Sequence, residues 1–214
     1  KPEDEFVIPI IGIHMGSSGS GIMQRNLLTK LNMSGVVAIA RNLAFKIEAA
    51  KEDDYAAKYI GDFLSDADLT HVSNEVSFVP GCTPTRSMAF CSSPKYIETL
   101  KKSGVDIVEL TGNHNNDYGA KYSASTIETY KELGWDYFGG GLDLEDAGKI
   151  LYKEVNGTKI AFLGYNYYDS VLNNPGPLAG ANKSGANPYS EEKLKRDIEA
   201  VSYTHLTLPT IYSV

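Results

Sequence analysis

The sequence predicts an α/β fold in which strands and helices alternate along the chain and stack in layers. Short apolar runs rich in β-branched residues are separated by segments with helical periodicity. The connections between them are short, as parallel β-α-β units require. Two polar clusters, "SNE" at 73–75 and "TGNHNND" at 111–117, each follow a predicted strand. The carboxyl ends of parallel strands are where ligands bind in such folds, so the two clusters are expected to share one edge.

The amino-terminal part of the chain divides at residue 34. Residues 1–34 are assigned to an amino-terminal segment and linker, because the apolar run "FVIPIIGIHMG" is followed by the flexible composition "GSSGSG". Regular patterning then begins with strands predicted at 35–41 and 67–78 and helices predicted at 42–50 and 54–64.

The middle of the chain carries clear start and stop signals for helices. In "SPKYIETLKKSG" (93–104), Ser93 suits the N-cap position, Pro94 the first turn and Gly104 the position after the last turn. The run 105–110 is then a predicted strand. A helix is predicted over 122–134, and Gly134 is its stop signal.

The carboxyl-terminal part contains the clearest hairpin. A short strand is predicted at 135–138, and "ILYKEVNGTKIAFLGY" (150–165) contains Asn156-Gly157, the preferred pair for a type I′ turn. A helix capped by Ser190 follows at 190–201. The predicted domain therefore covers 35–200, and the uncharged run 201–214 is interpreted as a non-native tail.

Composition excludes several classes of partner. The 214 residues are 42% apolar and carry a net charge of −7, without a basic block. Such a chain is a poor candidate for binding nucleic acid or an anionic membrane surface. No run reaches the roughly 18 apolar residues that a transmembrane helix needs.

Two cysteines, Cys82 and Cys91, lie in the loop-like run "GCTPTRSMAFC". A loop-closing disulfide in an oxidising compartment is the preferred interpretation, and two unpaired thiols are the alternative.

The densest polar cluster places candidate catalytic and metal-binding residues side by side. The amide oxygen of Asn113 is a hard neutral metal ligand, and the imidazole of His114 can protonate a leaving oxygen near neutral pH. Asp117 can accept a hydrogen bond from that imidazole and orient it. The competing interpretation is an Asx-rich turn stabilised by its own side chains.

The strand that ends in "SNE" offers a carboxylate for the same site. Glu75 is a candidate metal ligand, and the alternative is a charge that faces solvent at a strand end. His71 lies within that strand and is interpreted as structural.

Together these segments resemble the capsule synthesis protein CapA family, which is related to metallophosphoesterases and linked to poly-γ-glutamate capsules. The resemblance covers roughly 35–200, and its specific part is the NHxxDxG core between a strand and a helix. The supporting segments are "ADLTHVSNEVSF", "SGVDIVELTGNHNNDYG", "FGGGLDLEDA" and "NGTKIAFLGY", in the expected order.

The resemblance implies a layered, metallophosphoesterase-like α/β/β/α sandwich that is incomplete at its carboxyl-terminal side. It implies Glu75 and Asn113 as ligands of a divalent metal ion, His114 as a general acid and Asp117 as its orienting partner. The chain departs from the family where the first strand usually ends in Gly-Asp, because "MSGVVAIAR" has no carboxylate. Histidine motifs that follow later in the family are also missing, so a complete dinuclear centre is not expected from these residues.

Two functional hypotheses follow from the resemblance. The first is an extracytoplasmic protein of capsule or cell-envelope polymer synthesis that hydrolyses a phosphoester by metal-assisted chemistry. Its expected partner is an anionic polymer or a phosphoester substrate, and a membrane anchor upstream of this chain is compatible with this hypothesis. The second is a non-catalytic module that binds a polymer or partner on the same scaffold, which the missing first-strand carboxylate favours.

Overall fold

The computed structural model describes residues 28–167 and 176–202. The predicted apolar strand and the linker before residue 28, and the tail after residue 202, lie outside the described residues. The strands are β1 (Leu31–Val37), β2 (Leu69–Asn74), β3 (Ile107–Glu109), β4 (Asp136–Phe138), β5 (Gly140–Gly141), β6 (Leu151–Val155), β7 (Thr158–Phe162) and β8 (Gly185–Ala186). The helices are α1 (Arg41–Ala50), α2 (Gly61–Ser65), α3 (Ile97–Lys102), α4 (Ala120–Glu132), α5 (Leu144–Ala147) and α6 (Glu191–Ser202).

The centre of the fold is a four-stranded parallel sheet with the order β1-β2-β3-β4. Each of the first three strands is followed along the chain by helical structure that returns to the next strand, which confirms the predicted β-α-β succession. All four carboxyl ends therefore lie at one edge of the sheet, as expected for parallel units.

The central strands β2 and β3 are buried on both faces, with alternate side chains pointing to opposite sides of the sheet. Val72 of β2 and Val108 of β3 pack with helix residues such as Ile47, Leu100 and Ile127 in the main core. The neighbouring residues of the strands face a second, smaller cluster made with the β6–β7 hairpin. Its buried members are Leu69, Ile107, Phe138 and Phe162. The predicted layered α/β sandwich is thus confirmed, with helices on one face of the sheet and a β-hairpin on the other.

The hairpin of β6 and β7 matches its prediction in register and turn. Asn156 and Gly157 have φ values of 51° and 76°, which the type I′ turn requires at both central residues. Beside the turn, Thr29 Oγ1 donates a hydrogen bond of 2.9 Å to the carbonyl of Val155, joining residues 126 positions apart. The tip of the hairpin is therefore fastened to the chain just before β1.

Several helix boundaries were predicted correctly, and one helix was not. Gly104 and Gly134 adopt φ values of 66° and 74°, the left-handed conformation that ends a helix and that glycine adopts without strain. The predicted helix over 54–64 is wrong, since the chain forms a single 3-10 turn at Tyr55–Ala57 and then the short α2. Much of its supposed apolar face stays in solvent, because Tyr59 is 91% exposed and Phe63 is 64% exposed, although Tyr55 packs against the main core.

Cys82 and Cys91 are joined in a disulfide, which confirms the preferred interpretation of that loop. In the described ranges, every helix is too short or too polar to cross a lipid bilayer.

Candidate functional site

The two polar clusters meet at the carboxyl edge of the sheet, as the sequence predicted. Glu75 follows β2 and Gly112 lies in the loop after β3. A Cβ atom placed on Gly112 would lie 2.4 Å from Cγ of Glu75, which no real pair of atoms tolerates. Glycine at position 112 is therefore what lets the loop approach the half-buried glutamate closely. Asn113, the next residue, is exposed beside this contact.

His114 and Asp117 form a hydrogen-bonded pair within the loop after β3. Nδ1 of His114 lies 2.6 Å from Oδ2 of Asp117. A carboxylate can only accept, so Nδ1 donates and the proton on that nitrogen is fixed. Nε2 of His114 forms no hydrogen bond within the described residues and can exchange a proton with a bound molecule. Orientation of an imidazole by a carboxylate in this way is common in acid–base sites.

Two neighbouring asparagines hold the loop rather than face a ligand. The Asn115 side chain is buried and donates from Nδ2 to the carbonyls of Leu110 (2.9 Å) and Gly112 (3.2 Å). The backbone carbonyl of Asn115 accepts a 2.6 Å hydrogen bond from Oγ of Ser77. Asn116 donates to the carbonyls of Pro177 and Ser184. The crowding of asparagines thus has partly the structural cause that the sequence left open as an alternative.

The asparagine before Glu75 is also structural. Asn74 is buried and donates from Nδ2 to the carbonyl of Val76 and to the hydroxyl oxygen of Tyr130. Burial raises the pKa of that tyrosine, so its hydroxyl stays protonated. This contact ties the end of β2 to α4.

Phe90 and Arg41 belong to the site although sequence reasoning did not select them. The ring of Phe90 stacks on the imidazole of His114 with 3.9 Å between centroids and 17° between planes. The backbone N–H of Phe90 donates a 2.7 Å hydrogen bond to Oδ2 of Asp117. The guanidinium of Arg41 lies 5.4 Å from the centroid of the same ring. The only sequence signal for Phe90 is its position next to Cys91.

A buried pair lies under the site between the two layers of strands. Nε2 of His71 is 3.2 Å from Oε2 of Glu109, and the His71 side chain is 2% exposed. The ring N–H is not well aligned on the carboxylate, so we treat the contact as electrostatic rather than as a full hydrogen bond. This proximity, together with a hydrogen bond from Thr111, holds the pKa of Glu109 below its usual range against the opposing effect of burial. His71 also lies against the rings of Phe138 and Phe162, so its predicted structural role is consistent with its surroundings.

The two predicted metal ligands, Glu75 and Asn113, lie at the same edge of the sheet. Glu75 and Asn113 bring a carboxylate and an amide oxygen to one edge, and both are ligand types that hard divalent cations prefer. Within residues 28–167 and 176–202, no three His, Cys, Asp or Glu side chains lie close enough together to hold a metal ion. The described residues therefore fit a metal only with further donors. The end of β1, where the family pattern has an aspartate, leads instead into Arg41.

Comparisons with known proteins agree with the sequence resemblance. The profile of the bacterial capsule synthesis protein PGA_cap matches residues 30–208. A capsule biosynthesis protein CapA from Bacillus anthracis is 39% identical over 69 residues, which is 32% of this chain and 17% of the relative. A PGA biosynthesis protein CapA from Bacillus subtilis (strain 168) is 31% identical over 111 residues, which is 49% of this chain and 29% of the relative. The matches thus span well under two thirds of either relative.

Proposed function

Because the chain belongs to the bacterial capsule synthesis family PGA_cap, we propose that it acts on a capsule or cell-envelope polymer at the edge formed by 73–75 and 111–117. The observation that carries this proposal is the His114–Asp117 pair, 2.6 Å apart and adjoining Glu75 across Gly112. Two relatives named for capsule and PGA biosynthesis support a capsule polymer as the class of molecule on which the site acts.

The proposed reaction is hydrolysis of a phosphoester. His114 gives the proton on Nε2 to the departing oxygen, while Nδ1 keeps its hydrogen bond to Asp117 and holds the ring in place. The transfer requires a proton on each ring nitrogen, and the carboxylate of Asp117 accepts from Nδ1 throughout. A water molecule supplies the hydroxyl that replaces the leaving group, so the net change is addition of water across the ester bond.

Glu75 and Asn113 are the proposed contributors to a divalent metal site, completed by donors outside the described residues. Such an ion would activate water and neutralise charge on the phosphoryl oxygens. Gly112 serves this arrangement by allowing the loop with Asn113 to lie against Glu75.

We place the protein outside the cytoplasm. The Cys82–Cys91 disulfide supports this location, since disulfides persist in oxidising compartments. The capsule biosynthesis names of the two relatives are consistent with association with the cell envelope.

A second function, binding of a polymer or partner without catalysis, is favoured by one observation. The strand β1 lacks a carboxylate at its carboxyl end and is followed by Arg41, a cation. A cation at that position repels a second metal ion rather than binding it.

Substitution of His114 tests the first function. His114→Ala is expected to abolish hydrolysis of glycerol 2-phosphate, whose alkoxide leaving group needs a proton, and Asp117→Asn to reduce turnover at least about tenfold, since general acid catalysis contributes about 10²–10⁴ in rate. Tyr118→Phe, an exposed change on the same loop, serves as the control and should keep wild-type turnover. Unchanged turnover in His114→Ala would remove His114 from the mechanism.

Metal content separates the two functions. Elemental analysis of the purified protein should give at least about one divalent ion per chain if hydrolysis is metal-assisted. A lower content, together with retained polymer binding, supports the binding module.

A further inference from the structure

Arg41 has an unusual backbone for a side chain of its size. It is the first residue of α1 and has a φ of 50°, in the left-handed region that residues with a Cβ rarely adopt. The residue lies just beyond β1, at the sheet edge where the candidate site is found. The backbone conformation therefore sets the direction in which the Arg41 side chain leaves the main chain at this edge of the sheet.

Most N–H donors of the Arg41 guanidinium have no hydrogen-bond acceptor among the described residues. It carries five N–H donors, and the contact that uses one of them is a 3.7 Å approach of Nη1 to the sulfur of Met88, a weak acceptor. Among the described residues no carboxylate lies within ion-pairing distance of it, whereas six lysines elsewhere in the described chain are paired with a carboxylate. Its residue is exposed, so a dissolved anion can reach it.

Phe90 connects Arg41 to the histidine pair. The guanidinium is 5.4 Å from the centroid of the Phe90 ring, and the imidazole of His114 stacks 3.9 Å from the same centroid. One aromatic ring therefore contacts both groups and links Arg41 to the histidine pair at the same edge of the sheet. Phe90 is itself held by its N–H bond to Asp117 and by the disulfide at the next residue.

We propose that Arg41, supported on Phe90, binds the negatively charged group of the substrate beside His114. The planar guanidinium matches a carboxylate or a phosphate through two parallel N–H bonds, and a ring under its face leaves those edge donors free. This makes Arg41 a specificity-determining residue that selects an oxyanion. The inference rests on the proposed function, because it takes the His114–Asp117 pair as the site.

Calorimetric titration of the purified protein with two probes tests the inference. The probes are a short glutamate oligomer, which presents carboxylates, and inorganic tripolyphosphate, which presents phosphates. Arg41→Met is expected to weaken binding of at least one probe by about tenfold or more, since charge-assisted bidentate contacts are the strong ones. Arg41→Lys should fall between wild type and Arg41→Met, because a lysine keeps the charge and loses the fork.

Two further variants separate loss of the Arg41 side chain from a general loss of positive charge and from a change in the backbone. Arg86→Met removes an exposed arginine of the same disulfide loop and should change affinity less than twofold. Arg41→Gly suits a φ of 50°, keeps the backbone and should still lose binding. Equal losses of affinity in Arg41→Met and Arg86→Met would overturn the proposal. So would a wild-type protein that binds neither the glutamate oligomer nor tripolyphosphate.

The binding test and the hydrolysis test fail separately. Titration does not need turnover. If the protein binds the probes through Arg41 but does not hydrolyse a phosphoester, the inference about Arg41 stands and the proposed reaction is wrong. Conversely, if His114→Ala loses activity while Arg41→Met binds both probes as tightly as wild type, the proposed reaction stands and Arg41 is excluded as a substrate-binding residue.

Discussion

At the scale of single residues, the contact between Gly112 and Glu75 decides whether the two loops of the site can meet. The missing Cβ of Gly112 leaves room for the glutamate stem, and the nearest atoms of Glu75 would lie 2.4–2.9 Å from an added methyl group. Those atoms include the Glu75 Cα, so rotation of the side chain alone cannot relieve the overlap.

Gly112→Ala is accordingly expected to lower the free energy of unfolding by about 1–3 kcal/mol, the usual cost of an overpacked position. The measurement is urea denaturation followed by circular dichroism. Gly35→Ala is the matched control, since an added Cβ there meets nothing within 4 Å, and it should be neutral or slightly stabilising. Equal stability of the two variants would show that the loops do not touch in solution.

The contact between Glu109 and His71 makes the free energy of unfolding depend on pH. The pKa of Glu109 is held low in the folded protein, chiefly by His71. Its stabilising contribution is therefore fully present above the unfolded pKa of about 4.3 and is lost as the pH falls through the lower folded value.

Glu109→Gln should therefore show a flatter fall in the free energy of unfolding than wild type as the pH decreases below about 4.5. Denaturant titrations at a series of pH values measure this slope. Glu132→Gln removes an exposed carboxylate that forms no ion pair within the described residues, and it should leave the slope unchanged. Identical slopes for all three proteins would refute a role for the pair in acid unfolding.

At the scale of elements, the disulfide loop is what places Phe90 on His114. The loop lacks a helix or strand to hold it, and the bond from Cys82 to Cys91 restricts it over a separation of nine residues. Phe90 precedes the second cysteine and is bonded to Asp117, so the covalent link and the site are adjacent.

The double variant Cys82→Ser/Cys91→Ser should lose about 2–3 kcal/mol of unfolding free energy, as expected for closure of a short loop. Wild-type protein treated with a reductant should lose a similar amount, whereas the double variant should not respond to the reductant. Mass spectrometry of alkylated thiols confirms reduction. If reduced wild type unfolds at the same urea concentration as the oxidised protein, the loop is held by its other contacts alone.

The elements also show which signals in a sequence are reliable. The Asn156-Gly157 turn and the glycine stops at 104 and 134 were predicted correctly because the backbone conformation of those residues is a local property. The predicted helix over 54–64 was wrong because most of its periodic apolar residues, among them Tyr59 and Phe63, stay exposed. Gly61 packs instead against Lys102 of α3, a contact that no periodicity in the sequence reports.

At the scale of the whole molecule, the layered fold could be predicted from the alternation of strands and helices, and half of the site could be predicted with it. His114 and Asp117 are three residues apart, so their pairing is local. Arg41 and Phe90 come to the same place from positions 49 residues apart, and neither lies in a recognisable pattern. Their contribution depends on the packing of two loops, which single-sequence reasoning does not resolve.

The bond between Thr29 and Val155 has a consequence for the order in which the protein folds. It closes a loop of 126 residues, and the entropic cost of such closure grows with the logarithm of length. The hairpin that fastens the start of strand β1 is synthesised more than a hundred residues after that strand. The sheet face that the hairpin covers therefore stays exposed until β6 and β7 have been synthesised, and this layer forms slowly because it depends on long-range contacts.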